Sequence, residues 1–298
     1  NTHLQGKQAA NAVEEARSKI AKYLNCESNE ITFTSGSTES INMAIAGVAD
    51  IYKSKGNHII TWATEHKAVL ESCLRLEEQG IKISVLPVNR DGLPDLDVLK
   101  KSISKETILV CVMMANNETG ALMPVREIAE IAHSHGAMVM CDATQAPGKM
   151  RVDVQDVGAD LLCISSHKMY GPKGCGVLFL RRKNPRVKIS PLIVGGGHEN
   201  GLRSGTLNVP AIVGMGKAAE ICAEKYWEDI VHLSEMRTLL EQILTTNGRG
   251  YVNGSIKDRI PNTTNICFPG IKASELISKV PNVSMATGSA CSSALPEP

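Results

Sequence analysis

From Glu30 to Leu180 the chain alternates short β-branched apolar runs with stretches of helical period, and this alternation restricts the fold more than any other feature. The apolar runs fall at 31–34, 58–63, 81–86, 108–114, 137–141, 161–165 and 176–180. Helical patterns fill most of the gaps, as at 39–52, 67–78 and 125–134. Strand and helix in strict alternation build βαβ units, whose strands are buried on both faces and therefore read as continuous apolar runs. The expectation is an α/β fold with a mainly parallel central sheet and helices on both faces. A long helical region, continuous or broken, follows at 209–245, and then come short irregular elements with Pro261, Pro269 and Pro281. The chain of 298 residues is long enough for a large core and a second unit. The expected division is a large domain at 1–209 and a smaller α+β domain at 210–298.

Composition narrows the partners. Formal net charge is +1, with no run of Lys or Arg longer than three and no basic stripe interleaved with aromatics, which argues against nucleic acid and membrane surfaces. No apolar run approaches the roughly 18 residues of a spanning helix, and the first residues lack the basic start and apolar core of a secretion signal. A soluble, intracellular protein is expected. The 9 cysteines are odd in number, scattered and free of any C-x-x-C pair, which fits a reducing compartment better than a disulfide framework or a zinc site. Cys111, Cys141 and Cys163 sit inside apolar runs and read as inert core.

Several predicted strands end in polar clusters, at 35–39, 64–66, 116–120, 142–145 and 165–168. In an open parallel sheet the carboxyl ends of the strands are where ligands bind. Turn and capping chemistry accounts for each Ser, Thr or Asp singly, but not for the gathering of His66, Asp142, Gln145 and Lys168 at one end. Ser35-Gly36-Ser37-Thr38-Glu39-Ser40 joins a strand to a helix, so free N–H groups and hydroxyls there suit a phosphate, although an ordinary N-cap looks the same. It lacks the Lys of a nucleotide-binding P-loop. Asp142 ends an apolar run, where it is either a capping residue or a buried carboxylate seeking a cation such as a protonated pyridine nitrogen. Lys168 lies in a glycine-bounded turn after a buried run. Alone, it reads either as a surface lysine or as an amine whose partial burial suits Schiff-base chemistry. Together, a phosphate loop, a strand-end Asp and such a Lys describe a pyridoxal 5'-phosphate site.

The same pieces resemble a known family. Thr64 to Leu70, Asn116-Asn117-Glu118-Thr119-Gly120, Cys141-Asp142-Ala143-Thr144-Gln145, His167 to Gly174, Gly195 to Thr206 and Thr287-Gly288-Ser289-Ala290-Cys291-Ser292-Ser293 resemble, in order and spacing, the motifs of cysteine desulfurases with an S-G-S-A-C loop. The resemblance implies the fold type I architecture of aminotransferases and a homodimer. It implies that Lys168 holds pyridoxal phosphate and shuttles the substrate Cα proton, that Asp142 pairs with the ring nitrogen, and that His66 stacks on the ring. Asn117 and Gln145 would contact ring substituents, and Ser37, Thr38, Ser165 and His167 the phosphate. Thr206 would reach the phosphate in the other subunit. Cys291, in a loop of small residues, would be the nucleophile that takes sulfur from L-cysteine, leaving L-alanine and a persulfide. The sulfur would pass to an iron–sulfur scaffold or other acceptor protein, or into tRNA thiolation, in the cytoplasm or the mitochondrial matrix. Selenocysteine lyase and a non-catalytic sulfur-relay or scaffold protein are the alternatives. Measured against the family pattern, the chain is expected to be a fragment: the first strand and the substrate-carboxylate arginine would lie outside 1–298.

Overall fold

The computed structural model describes residues 3–287. One sheet contains β1 (Ile31–Thr34), β2 (His58–Trp62), β3 (Lys82–Leu86), β4 (Thr107–Met113), β5 (Met138–Asp142), β6 (Leu161–Ser165) and β7 (Gly176–Leu180). Their order across the sheet is β1-β7-β6-β5-β4-β2-β3. β7 runs antiparallel to both neighbours and every other pairing is parallel, as the alternation predicts. Reversing β7 alone leaves β1, β2, β4, β5 and β6 pointing the same way, so their carboxyl ends share one edge. The first residue of β7, Gly176, lies at that edge opposite both Thr34 and Ser165.

The helices are α1 (Leu4–Leu24), α2 (Ser37–Tyr52), α3 (Lys67–Glu77), α4 (Leu96–Ser102), α5 (Val125–Ser134), α6 (Val209–Glu224), α7 (Tyr226–Thr245) and α8 (Ala273–Lys279). On one face, Ile41, Ile45 and Val48 of α2 and Val69, Cys73 and Leu76 of α3 pack onto Leu109, Cys111, Leu161 and Cys163. On the other, α1, α4, α5 and α6 cover Val110, Val112, Val139, Leu162 and Ile164. Alternate residues of one strand thus feed two cores, which is why these strands carry no polar face.

Helix α1, within a stretch for which the sequence pattern suggests no element, is capped at both ends. His3 accepts from Gly6 N, and Asn25 takes the left-handed conformation at φ 57°. Its apolar residues Val13, Ala16, Ile20 and Leu24 keep helical spacing among charged neighbours, a stripe narrow enough to hide in the sequence. That stripe meets α6, where a Cβ on Gly216 would stand 2.7 Å from Ala16 Cα. The long helical region divides at Lys225 into α6 and α7, and no side chain of α7 is buried among the described residues. The antiparallel pair β8 (Tyr251–Val252) and β9 (Ile266–Cys267) follows. Among the described residues no helix is long and apolar enough to cross a membrane.

Candidate active site

Loops from β1, β2, β4, β5 and β6 enclose a cavity of about 480 Å³ at the shared carboxyl edge. The β1 loop enters α2 through Gly36, so the first-turn N–H groups at Ser37 and Thr38 are free of helical partners and line the cavity. Glu39 fastens this loop, accepting from Ser35 N at 2.8 Å and from Arg203 Nε at 2.7 Å. Burial would raise its pKa, but Arg203 and Ser35 outweigh burial and hold the carboxyl below its usual range. Only glycine fits where β7 passes: a Cβ on Gly176 would lie 2.5 Å from Gly36 Cα.

Asp142 closes β5 with its carboxyl at the cavity, 6 % exposed. Its Oδ1 accepts from Thr144 N at 3.0 Å and from Thr144 Oγ1, which also lies 2.7 Å from Ser37 Oγ. Burial pushes its pKa upward, against the opposing effects of Thr144 and His66. No cationic side chain among the described residues pairs with it, so a protonated ring nitrogen would supply the charge that the site leaves uncompensated. Gln145 lines the same wall. His66 caps α3, its Nδ1 accepting from Ala68 N at 3.1 Å. In the neutral ring that bond leaves the proton on Nε2. Of the adjacent asparagines, Asn116 builds the loop by accepting from Glu118 N and Thr119 N, while Asn117 faces the cavity.

Lys168 lies in a 3-10 turn, Ser166–Met169, that ends in a left-handed Tyr170 at φ 65°. Ser165 Oγ and His167 Nδ1 share a hydrogen bond of 3.0 Å. Burial, reinforced by the charges of Lys168, Lys173 and Lys149, depresses the His167 pKa. Ser165, His167, Lys168 and Lys173 line the cavity beside the start of α2. Hydroxyls, free N–H groups and ammonium ions on one side, an uncompensated carboxyl on another and a lysine amine between them match the phosphate, ring nitrogen and aldehyde of pyridoxal phosphate.

Thr206 does not join this cavity; it lines a second one of about 650 Å³ with Arg17 and His198. Cys291 lies outside the described residues. Sequence reasoning did not single out Thr144, Glu39 or Lys173. The Asp-x-Thr spacing that lets Thr144 fold back onto Asp142 was the available signal. Cys111, Cys141 and Cys163 are fully buried, and burial drives each thiol pKa far up, as expected for inert core.

A model of the family described as Aminotransferase class-V matches residues 1–297. The chain is 46 % identical over 298 residues to "Cysteine desulfurase IscS" of Ehrlichia chaffeensis, a match covering 100 % of this chain and 73 % of that protein. It is 44 % identical over 300 residues to "Cysteine desulfurase, mitosomal" of Encephalitozoon cuniculi, covering 100 % of this chain and 69 % of that one. The solved structure of a "NifS-like protein" superposes with a TM-score of 0.91 at 38 % identity, over 95 % of this chain and 77 % of that chain.

Proposed function

The chain belongs to the class-V aminotransferase family, and from that premise we propose that it is a pyridoxal 5'-phosphate-dependent cysteine desulfurase, converting L-cysteine to L-alanine. Its fold is that of the type I pyridoxal phosphate transferases. Bound pyridoxal phosphate supplies the electron sink that makes the substrate Cα–H bond breakable. Lys168 would hold the cofactor through its amine, and that amine would be the group that carries the substrate Cα proton. Asp142, oriented by Thr144, holds the ring-nitrogen proton. His66 covers the ring, and its Nε2–H is the proton available on that side. Asn117 and Gln145 would contact the ring substituents, while Ser37, Thr38, Ser165 and His167 would hold the phosphate. Thr206 reaches the site of a partner subunit in a homodimer. The Cys291 thiolate attacks the substrate sulfur, so that the C–S bond breaks and Cys291 keeps the sulfur as a persulfide.

The observation that carries this reading is one cavity holding the Lys168 turn, the α2 N-terminus and a buried Asp142 with no cationic side chain paired to it. Sulfur leaves toward iron–sulfur cluster assembly, through a scaffold or other acceptor protein, in the cytoplasm or a mitochondrion-derived compartment. Alanine release from L-cysteine by the full-length protein, and sulfide release when a thiol reductant is present to discharge the persulfide, test it. Lys168→Ala should abolish covalent cofactor attachment. Cys291→Ala should abolish sulfide release while leaving the protein yellow. Unchanged sulfide release in Cys291→Ala would remove the nucleophile assignment, and a full-length protein that never binds the cofactor would remove the reading.

A further inference from the structure

Lys149 is 5 % exposed, yet among the described residues its ammonium meets no carboxylate. The titratable groups that face it are Lys168, His167 and Cys222, and the Tyr170 ring lies 5.8 Å away. Burial, then the charge of Lys168, pushes its pKa down to about 8. A lysine placed so is destabilising unless it holds something in return. It holds one atom: Nζ donates to the main-chain carbonyl of Lys168.

That carbonyl needs an outside partner. In the turn Ser166–Met169 the Ser166 carbonyl takes the N–H groups of Tyr170 and Gly171, the latter at 2.9 Å. The Met169 carbonyl accepts from Cys222 Sγ at 3.7 Å. The Lys168 carbonyl receives no backbone N–H among the described residues, as expected at the end of a short helical turn. Lys149 itself is anchored, since its N–H bonds to Ala146 O at 3.0 Å and the preceding Gly148 N bonds to Tyr23 Oη at 2.9 Å. The loop so anchored carries Thr144 and Gln145 and begins directly after Asp142, the last residue of β5. Lys149 therefore ties the loop that follows Asp142 to the turn that presents Lys168.

We propose that Lys149 is a positioning residue for Lys168: by clamping the Lys168 carbonyl it fixes the Ser166–Met169 turn and sets the Lys168 amine at its working distance from the Asp142 loop. This rests on Lys168 being the cofactor lysine. Asp142 and Lys168 would engage opposite ends of one rigid ring, so a slack turn misplaces the amine, together with His167 in the same turn, relative to the Asp142 carboxyl.

The test compares the full-length wild-type protein with Lys149→Met, Lys149→Arg and Lys168→Ala. Each is loaded with pyridoxal phosphate, reduced with borohydride and scored by mass for the adduct on residue 168. Visible absorbance against pH, turnover of L-cysteine and melting temperature are measured on the same samples. K149M should fold, lose adduct yield and lose kcat by about tenfold or more with KM little changed, a misplacement of about 1 Å being able to cost about 10²-fold. K149R, which keeps a charged donor, should recover most of the loss. If K149M does not fold, K149Q, whose shorter amide cannot reach the carbonyl either, gives the same reading. A folded K149M or K149Q with wild-type adduct yield, absorbance and kcat overturns the inference. Wild-type protein that forms no adduct at Lys168, or K168A that forms one elsewhere, overturns instead the assignment of Lys168.

Discussion

Gly176→Ala should separate the phosphate side of the site from the rest of it. The added Cβ would stand 2.5 Å from Gly36 Cα, 2.7 Å from Gly36 C and 2.9 Å from Ile164 O. All three are backbone atoms, so no side chain can rotate away. An ordinary carbon–carbon contact needs about 3.5–4.0 Å, which means the β7 start and the Ser35–Ser37 loop must part by roughly 1 Å. Overpacking of this kind costs about 1–3 kcal/mol. Gly176 is paired with both Thr34 and Ser165, so the strain falls on the two segments that present Ser37, Thr38 and Ser165 to the cavity. Titrating the cofactor-free protein with pyridoxal phosphate and with pyridoxal, followed by absorbance, resolves the effect. The G176A protein should melt a few degrees lower and lose affinity for pyridoxal phosphate on the order of 10- to 100-fold, by the same 1 Å argument. Its affinity for pyridoxal, which lacks the phosphate, should change far less. Unchanged melting and affinity would refute the steric reasoning, and equal losses for both aldehydes would refute the location of the phosphate.

Three further outcomes follow from titratable groups on the sheet, its helices and the loops between them. Glu65 is buried with Oε1 accepting from Met113 N at 2.7 Å and Oε2 unpartnered among the described residues, and burial raises its pKa well above the carboxylate range. Glu65→Gln should therefore change unfolding stability in urea by less than about 1 kcal/mol, whereas Glu65→Ala, which strands the Met113 N–H and opens a cavity, should cost about 2–4 kcal/mol. A costly E65Q would mean that the native carboxyl is ionised. The Asp160 hydrogen bond of 2.8 Å raises the pKa of His133, outweighing partial burial, so its stabilisation is full below the unfolded value and fades as pH rises through the folded one. His133→Gln should cost more at about pH 5.5 than at about pH 9, by no more than about 1 kcal/mol since the ring is partly exposed; an equal cost at both would refute the ion pair. Asp142→Asn should keep the cofactor attached to Lys168 yet slow turnover on the order of 10²-fold, and wild-type turnover would show that the ring nitrogen needs no carboxylate.

The central strands were legible because burial on both faces writes itself into composition. Leu109 and Cys111 face one core and Val110 and Val112 the other, so β4 could not be mistaken for a half-exposed strand. Helix α1 was not legible, because its apolar stripe is narrow and its partner is small: the contact rests on Ala16 meeting Gly216, residues with little hydropathic signal. The strand order was not legible either. Nothing local to residues 176–180 says that β7 inserts between β1 and β6, yet that insertion brings Gly176 against Gly36 and shapes the phosphate side of the cavity.

A similar division runs through the site. Asp142, His66 and Lys168 could be named in advance because they gather at one end of the predicted sheet, an arrangement that capping explains for each alone but not together, and because they fall in the motifs of the resemblance. The residues that orient them are of common types in ordinary positions. Thr144 holds Asp142 from two residues away, but Arg203 reaches Glu39 across 164 positions and Glu199 joins Arg17 across 182. Such partners depend on where the sheet places loops that are far apart in the chain. Lys149 belongs with them: in sequence it is one more lysine after a glycine, and only its burial beside the Lys168 carbonyl sets it apart. Functional groups are therefore the part of this site that sequence exposes. The groups that fix their geometry, and with it the rate, become visible only once the strand order has brought the loops together.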